Sequence, residues 1–120
     1  MTLDNLDTKL LTQPTVEQVQ VQQLQHAPRI LLLYGSNRER SYSRLAVMEA
    51  GRILQYLGAE VKIFHPKGLP LPEDADTTHA KVQELHELLA WSEAMVWCSP
   101  ERHASMSSVF KSQIDRIPLP

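Results

Sequence analysis

The chain has 120 residues, of which 42% are hydrophobic and 22% charged, values of one ordinary globular domain with a moderate core. A formal net charge of −2 argues against a general nucleic-acid or membrane-surface partner, which needs a basic face, and no stretch has the length and apolarity of a membrane span. The single cysteine, Cys98, excludes an intramolecular disulfide framework and a multi-cysteine metal site; with no basic-then-apolar leader at the start, this points to the cytosol.

Residues 1–27 are polar and rich in glutamine, and Val16, Val19, Val21 and Leu24 follow neither a helical nor a strand period. They read as an arm outside the core, disordered or packed on a neighbouring subunit. Pro28 punctuates. Arg29–Tyr34 is then a nearly continuous apolar run, the pattern of a central strand covered on both faces. Gly35, lacking a Cβ, permits a sharp turn out of that strand. From Ser43 onward Ala46, Ala50, Ile53, Leu54 and Leu57 recur at helical spacing, predicting about four turns that end in a left-handed cap at Gly58. Glu60–Phe64 reads as a second strand, and the proline-rich residues 65–72 as an irregular surface connection.

Residues 80–90 carry Val82, Leu85, Leu88 and Leu89 on one face, with Asp76, Thr77 or Thr78 as candidate cap. Residues 95–98 form a short apolar third strand, ending in the polar loop 99–103. The last predicted helix, residues 107–117, buries Val109, Phe110, Ile114 and Ile117 before Pro118 and Pro120 stop it. Strand and helix alternating three times means an α/β chain with a parallel sheet and crossover helices.

The chemistry concentrates where the first strand ends. Ser36, Ser41 and Ser43 offer hydroxyl donors, Arg38 a guanidinium that can grip an anion through two N–H groups, and the next helix its unpaired first N–H groups. A Walker loop would need a Lys-Ser/Thr pair and a dinucleotide fingerprint two more glycines; neither is present. A terminal phosphate monoester therefore suits this loop better than a pyrophosphate. On spacing alone, a capped turn of solvated serines and arginines explains the same residues equally well. Arg40 and Arg44 read as surface or subunit-contact residues. In an open parallel sheet ligands bind outside the carboxyl ends of the strands, so if the first and third strands are neighbours, residues 35–43 face residues 99–105 across a crevice. Cys98 reads as a buried structural thiol, Trp91, Trp97 and Phe110 as core or interface residues, and His79 and His86 lack a third ligand for a metal.

The pattern Gly35-Ser36-x-Arg38-x-x-Ser41-x-Ser43 resembles the FMN-phosphate loop of the NADPH-dependent FMN reductases, and Pro100-Glu101-x-His103 resembles their flavin-ring loop. Residues 38–45, 68–72, 96–103 and 113–115 are similar to one branch, the arsenical-resistance flavoproteins called ArsH. The resemblance implies a flavodoxin-like doubly wound parallel sheet of which only the first three βα units are present. Residues 28–120 would be the N-terminal part of an FMN-binding domain. It implies that Ser36, Arg38, Ser41 and Ser43 hold the FMN phosphate and that Pro100, Glu101, Arg102 and His103 line the ring. It further implies hydride transfer from NADPH through FMN to a small acceptor (an organoarsenical, quinone, azo compound, metal ion or oxygen); because the cofactor itself carries that chemistry, no side chain is expected to be catalytic. A homo-oligomer, dimer or tetramer, is also implied.

Asn37, Ser105 and Arg116 depart from the branch, which usually has leucine, a small alanine or glycine, and tryptophan there. The family also continues through two more strands, so the third strand should expose an apolar edge. A non-catalytic remnant and a flavodoxin-like electron carrier without NADPH oxidation are the rival readings.

Overall fold

The computed structural model of the chain describes residues 4–11 and 25–118. The arm expected over residues 1–27 falls largely outside them; within it, a 3-10 turn, Thr8–Leu10, is capped by Asp7, whose carboxylate accepts from the Lys9 N–H at 3.0 Å. The remaining elements are β1 (Arg29–Tyr34), α1 (Tyr42–Tyr56), β2 (Glu60–Phe64), α2 (Ala80–Trp91), β3 (Ala94–Cys98), a small hairpin of β4 (Glu101–Arg102) and β5 (Ser105–Met106), and α3 (Ser108–Ile114).

β1 lies between β2 and β3, parallel to both, with Leu32 level with Ile63 on one side and Val96 on the other. The leucine run explains this position, because both faces of β1 are covered. Leu31 and Leu33 pack with Phe64, Leu85 and Phe110, while Leu32 and Tyr34 pack with Val47 of α1. The order β2-β1-β3 is the beginning of the flavodoxin-like arrangement and places the first and third strands side by side. Gly58 closes α1 with φ of +95°, the left-handed conformation that glycine adopts without a Cβ clash.

β3 pairs on one side only among the described residues. Its alternation sends Met95 and Trp97 to the face that carries Phe110; the Trp97 and Phe110 rings meet edge to face at 5.6 Å, yet Trp97 remains 50% exposed. The expected apolar edge is therefore present.

Three local expectations are corrected. His79, not Asp76, Thr77 or Thr78, caps α2: its Nδ1 accepts from the Lys81 N–H at 3.1 Å, while Asp76 is turned to the Thr78 N–H and hydroxyl. α3 is shorter than the periodicity predicts. After Ile114 the chain tightens into i to i−3 bonds, Arg116 N–H to Gln113 O and Ile117 N–H to Ile114 O. Arg116 is buried there and donates from Nη2 to the carbonyls of Leu71 (2.7 Å) and Pro70 (3.4 Å), while His86 Nε2 donates to the Arg116 carbonyl at 2.8 Å. Those bonds tie the irregular connection after β2 to the end of α3. Finally, the polar loop after β3 is not irregular throughout. It folds into the β4–β5 hairpin, whose two-residue tip, His103 and Ala104, has φ of +49° and +61°.

Candidate functional site

The exit from β1 is fixed before any loop residue is reached. The Gly35 N–H donates to the Cys98 carbonyl at 3.0 Å, which extends the β1–β3 ladder by one residue. Gly35 does not take a positive φ, so the sharp turn expected of it is not what demands glycine. Contact demands it: a Cβ there would lie 2.6 Å from Ser107 Oγ and 2.7 Å from Phe110 Cβ. Ser107 caps α3 by accepting from the Phe110 N–H at 3.1 Å and donates its own proton to the Gly35 carbonyl at 2.7 Å. Gln113 Nε2 donates to the Tyr34 carbonyl at 2.9 Å. From sequence, Ser107 is only the start of the last helix and Gln113 only part of a stretch similar to the family branch; neither has a structural role there. Only the packing of α3 against the end of β1 gives them a part.

Beyond Gly35 the loop is built from its own side chains. Ser36 Oγ accepts from the Arg38 N–H at 3.2 Å. Ser41 is the N-cap of α1: its Oγ accepts from the Arg44 N–H at 3.1 Å and lies 3.0 Å from Ser43 Oγ. Two hydroxyls carry two protons; one is used between them, so one remains to donate outward. The Tyr42 and Ser43 N–H groups, first in the helix, have no intrahelical acceptor.

These groups open onto a cleft of about 400 Å³ lined by Ser36, Arg38, Arg40, Ser41, Tyr42, Ser43 and Ala46 on one side, and by Cys98, Ser99, Pro100 and Arg102 on the other. No carboxylate lines it. Arg38, Arg40 and Arg102 enter none of the ion pairs formed among the described residues, and Arg40 lies over the Tyr42 ring at 5.9 Å. A donor-rich wall with three uncompensated guanidinium groups suits an anion, and Pro100 supplies an apolar surface beside it.

Of the residues singled out from sequence, Ser36, Arg38, Ser41, Ser43, Pro100 and Arg102 share this cleft. Glu101 and His103 stand apart from it. Glu101 accepts from the Ala104 N–H at 3.2 Å on the other side of the hairpin, and His103 is at the exposed tip. Arg40, read from sequence as a surface or subunit-contact residue, Cys98, read as a structural thiol, and Ser99, placed only in the facing loop, also line the cleft. Strand alternation carries the signal for Cys98: with Trp97 facing Phe110, Cys98 must face α1 and the cleft. Expected as a buried structural thiol, Cys98 is half-buried: it packs against the cluster of Leu32, Tyr34 and Val47 and also borders the cleft. His79 and His86 serve as cap and tether, and no cluster of metal-ligating side chains occurs among the described residues.

Behind the first turn of α1, the Tyr34 hydroxyl and His65 Nδ1 are 2.9 Å apart. Desolvation holds the His65 pKa below its ordinary value, helped by the Arg44 and Lys81 charges and opposed by Glu84; desolvation likewise raises the Tyr34 pKa against the Arg44 charge. A depressed histidine pKa means that the unfolded chain takes up the proton first. The associated stability is present above the ordinary histidine pKa and fades as pH falls through the folded value. The urea midpoint is expected to drop between pH 7.5 and 5, with a smaller drop in His65→Asn. Identical pH profiles for the two proteins would remove His65 as the cause.

Comparison with known proteins adds the following. A family described as NADPH-dependent FMN reductase matches residues 28–119. A protein named NADPH-dependent FMN reductase ArsH from Acidithiobacillus ferrooxidans is 61% identical over 118 residues, 98% of this chain and 50% of the relative. Proteins of the same name from Rhizobium meliloti and Shigella flexneri are 62% identical over 94 residues and 60% over 92, covering 78% and 76% of this chain and 39% and 36% of the relatives. The chain thus spans about half the length of the first of these, and less of the other two.

Proposed function

We propose, because this chain belongs to the NADPH-dependent FMN reductase family, that its cleft binds FMN and that it serves as the N-terminal part of an FMN-dependent, NADPH-oxidising reductase. The observation that carries this reading is the cleft lined by guanidinium, hydroxyl and N–H donors without a carboxylate, opposite the Pro100 and Arg102 wall. The residues fit a phosphate monoester. The Arg38 guanidinium and the Tyr42 and Ser43 N–H groups are unpaired, and one proton of the Ser41–Ser43 pair is free to join them. Pro100 and Arg102 would border the ring, while Glu101, by bonding to Ala104, would keep the hairpin that carries them in shape. Bound FMN would accept hydride from NADPH and pass electrons to a small acceptor. No side chain need act as acid or base for the hydride itself, so the residues bind and orient, and none is assigned a catalytic role.

The likeness to the ArsH proteins favours an organoarsenical among the acceptors. With one cysteine per chain, capture of arsenic by several thiolates is not available, so an arsenical would act as a redox substrate. A cytosolic homo-oligomer, dimer or tetramer, completes the reading; no helix among the described residues is long and apolar enough to cross a membrane. The test is to titrate the purified chain with FMN and follow NADPH oxidation with and without an acceptor. Bound flavin with NADPH turnover is expected. Bound flavin without turnover would favour the electron-carrier reading, and no flavin uptake would reject the site.

The half-exposed Trp97 and the one-sided pairing of β3 favour a second reading, in which these residues act only when paired with another subunit. A protein that binds flavin only after self-association, measured by sedimentation alongside the titration, would support it.

A further inference from the structure

The two walls of the cleft are joined by one continuous set of hydrogen bonds that runs through Ser107. Its Oγ donates to the Gly35 carbonyl at 2.7 Å, at the root of the loop bearing Ser36 and Arg38. Its N–H donates to Ser99 Oγ at 2.9 Å, and the Ser99 hydroxyl donates in turn to the Pro100 carbonyl at 2.9 Å, at the root of the hairpin bearing Arg102. Donation runs outward from Ser107 in both directions, to the Gly35 carbonyl on one side and through Ser99 to the Pro100 carbonyl on the other; Ser107 Oγ is a second, longer acceptor for the Ser99 hydroxyl at 3.4 Å. Ser107 Oγ also accepts from Phe110 N–H, which anchors the junction to α3. Gly35 and Ser107 are buried and Ser99 is partly buried, so water competes poorly for these bonds.

We infer that Ser107 is a positioning residue that fixes the separation between the phosphate-binding loop and the ring-binding hairpin. It thereby couples recognition of the two ends of the flavin nucleotide. The inference rests on the flavin reading above but adds a residue whose hydroxyl and N–H are both spent on protein partners. Its physical basis is preorganisation. A ligand that engages both walls gains when their spacing is set in advance, whereas one that engages a single wall gains nothing from the spacing. Ser107→Ala removes the donor to Gly35 O, leaves that buried carbonyl unpaired, and lets the loop move relative to the hairpin.

The experiment compares FMN with riboflavin, which has the same ring and no phosphate, by fluorescence titration of the wild-type chain, Ser107→Ala and Ser107→Thr. The Ser107→Ala chain is expected to bind FMN about tenfold more weakly, the cost of one buried hydrogen bond, with riboflavin within about twofold of wild type. Ser107→Thr, which keeps the hydroxyl, is expected to restore the FMN value. Equal weakening of both ligands would mean a general structural role and would overturn the inference, as would unchanged FMN binding. Should Ser107→Ala fail to fold, Ser99→Ala breaks the same set at its hairpin end and is read by the same ratio. Wild-type chain that binds neither ligand would reject the flavin reading and this inference with it; wild-type chain that binds FMN while both variants keep the FMN-to-riboflavin ratio would reject this inference alone.

Discussion

Gly35→Ala is expected to cost about 2–3 kcal/mol of stability and to abolish tight FMN binding. The new Cβ would lie 2.6 Å from Ser107 Oγ, 2.7 Å from Phe110 Cβ and 3.1 Å from Ser99 Oγ. A hydroxyl can rotate away, but Phe110 Cβ belongs to the root of a buried side chain on α3 and moves only with the helix. Helix and strand must then part, which weakens the Ser107–Gly35 bond, the Gln113–Tyr34 bond and the Leu33–Phe110 packing together. Against a whole-domain stability of about 5–15 kcal/mol, a loss of this size is visible as a lower urea midpoint. The double variant Gly35→Ala/Ser107→Ala separates the causes. Removing the hydroxyl relieves one of the two closest clashes, so only partial recovery is expected; full recovery would show that Phe110 Cβ is no obstacle.

How much of this was legible beforehand follows from the range of the forces involved. β1, α1 and β2 were readable to within a residue because their apolar periodicity is local and strong, and the glycine cap at Gly58 is a property of one residue. The end of α3 was not. The last predicted turn is lost because Arg116 and His86, far apart in sequence, find carbonyl and ring partners across the fold. The same holds for the site. Ser36, Arg38, Ser41 and Ser43 lie within eight residues, so their type and spacing are visible locally, although spacing alone left a capped turn equally good and the family resemblance was needed to single them out. Bringing Pro100 and Arg102 to face them needed the assumption that the first and third strands are neighbours, which the β2-β1-β3 order supplies. Glu101 and His103 were grouped with them because Pro100-Glu101-x-His103 resembles a flavin-ring loop, a likeness that says nothing of which side of a hairpin each residue takes. A hairpin sends adjacent residues in different directions, and the left-handed tip carries His103 outward. Gly35 was singled out correctly but for conformational freedom, when the constraint is the approach of a helix that begins more than seventy residues later.

Arg38→Ala is expected to weaken FMN binding about a hundredfold while leaving riboflavin binding within about twofold. The size follows from which donors in the loop are still available. Ser41 Oγ already caps α1 and shares a proton with Ser43, so that pair can offer one neutral hydroxyl bond, worth about 1 kcal/mol. Arg38 offers a charged pair of N–H groups that no carboxylate among the described residues engages, worth about 1.5–3 kcal/mol to a phosphate, or a factor of roughly ten to one hundred and fifty. The guanidinium therefore outweighs the hydroxyls. Arg40 shares the cleft but lies over the Tyr42 ring, so it can offset only part of the loss. Arg38→Lys should fall between wild type and alanine, since an ammonium keeps the charge but not the planar fork. A phosphate monoester loses its second charge below a pH of about 6, so FMN affinity of the wild-type chain should decline as pH falls through that value. In Arg38→Ala the decline should be shallower, because the group that distinguished dianion from monoanion is gone. An equal loss of FMN and riboflavin affinity would instead place Arg38 against the ring or in the support of the fold, and would move the phosphate to Arg40 and Arg102.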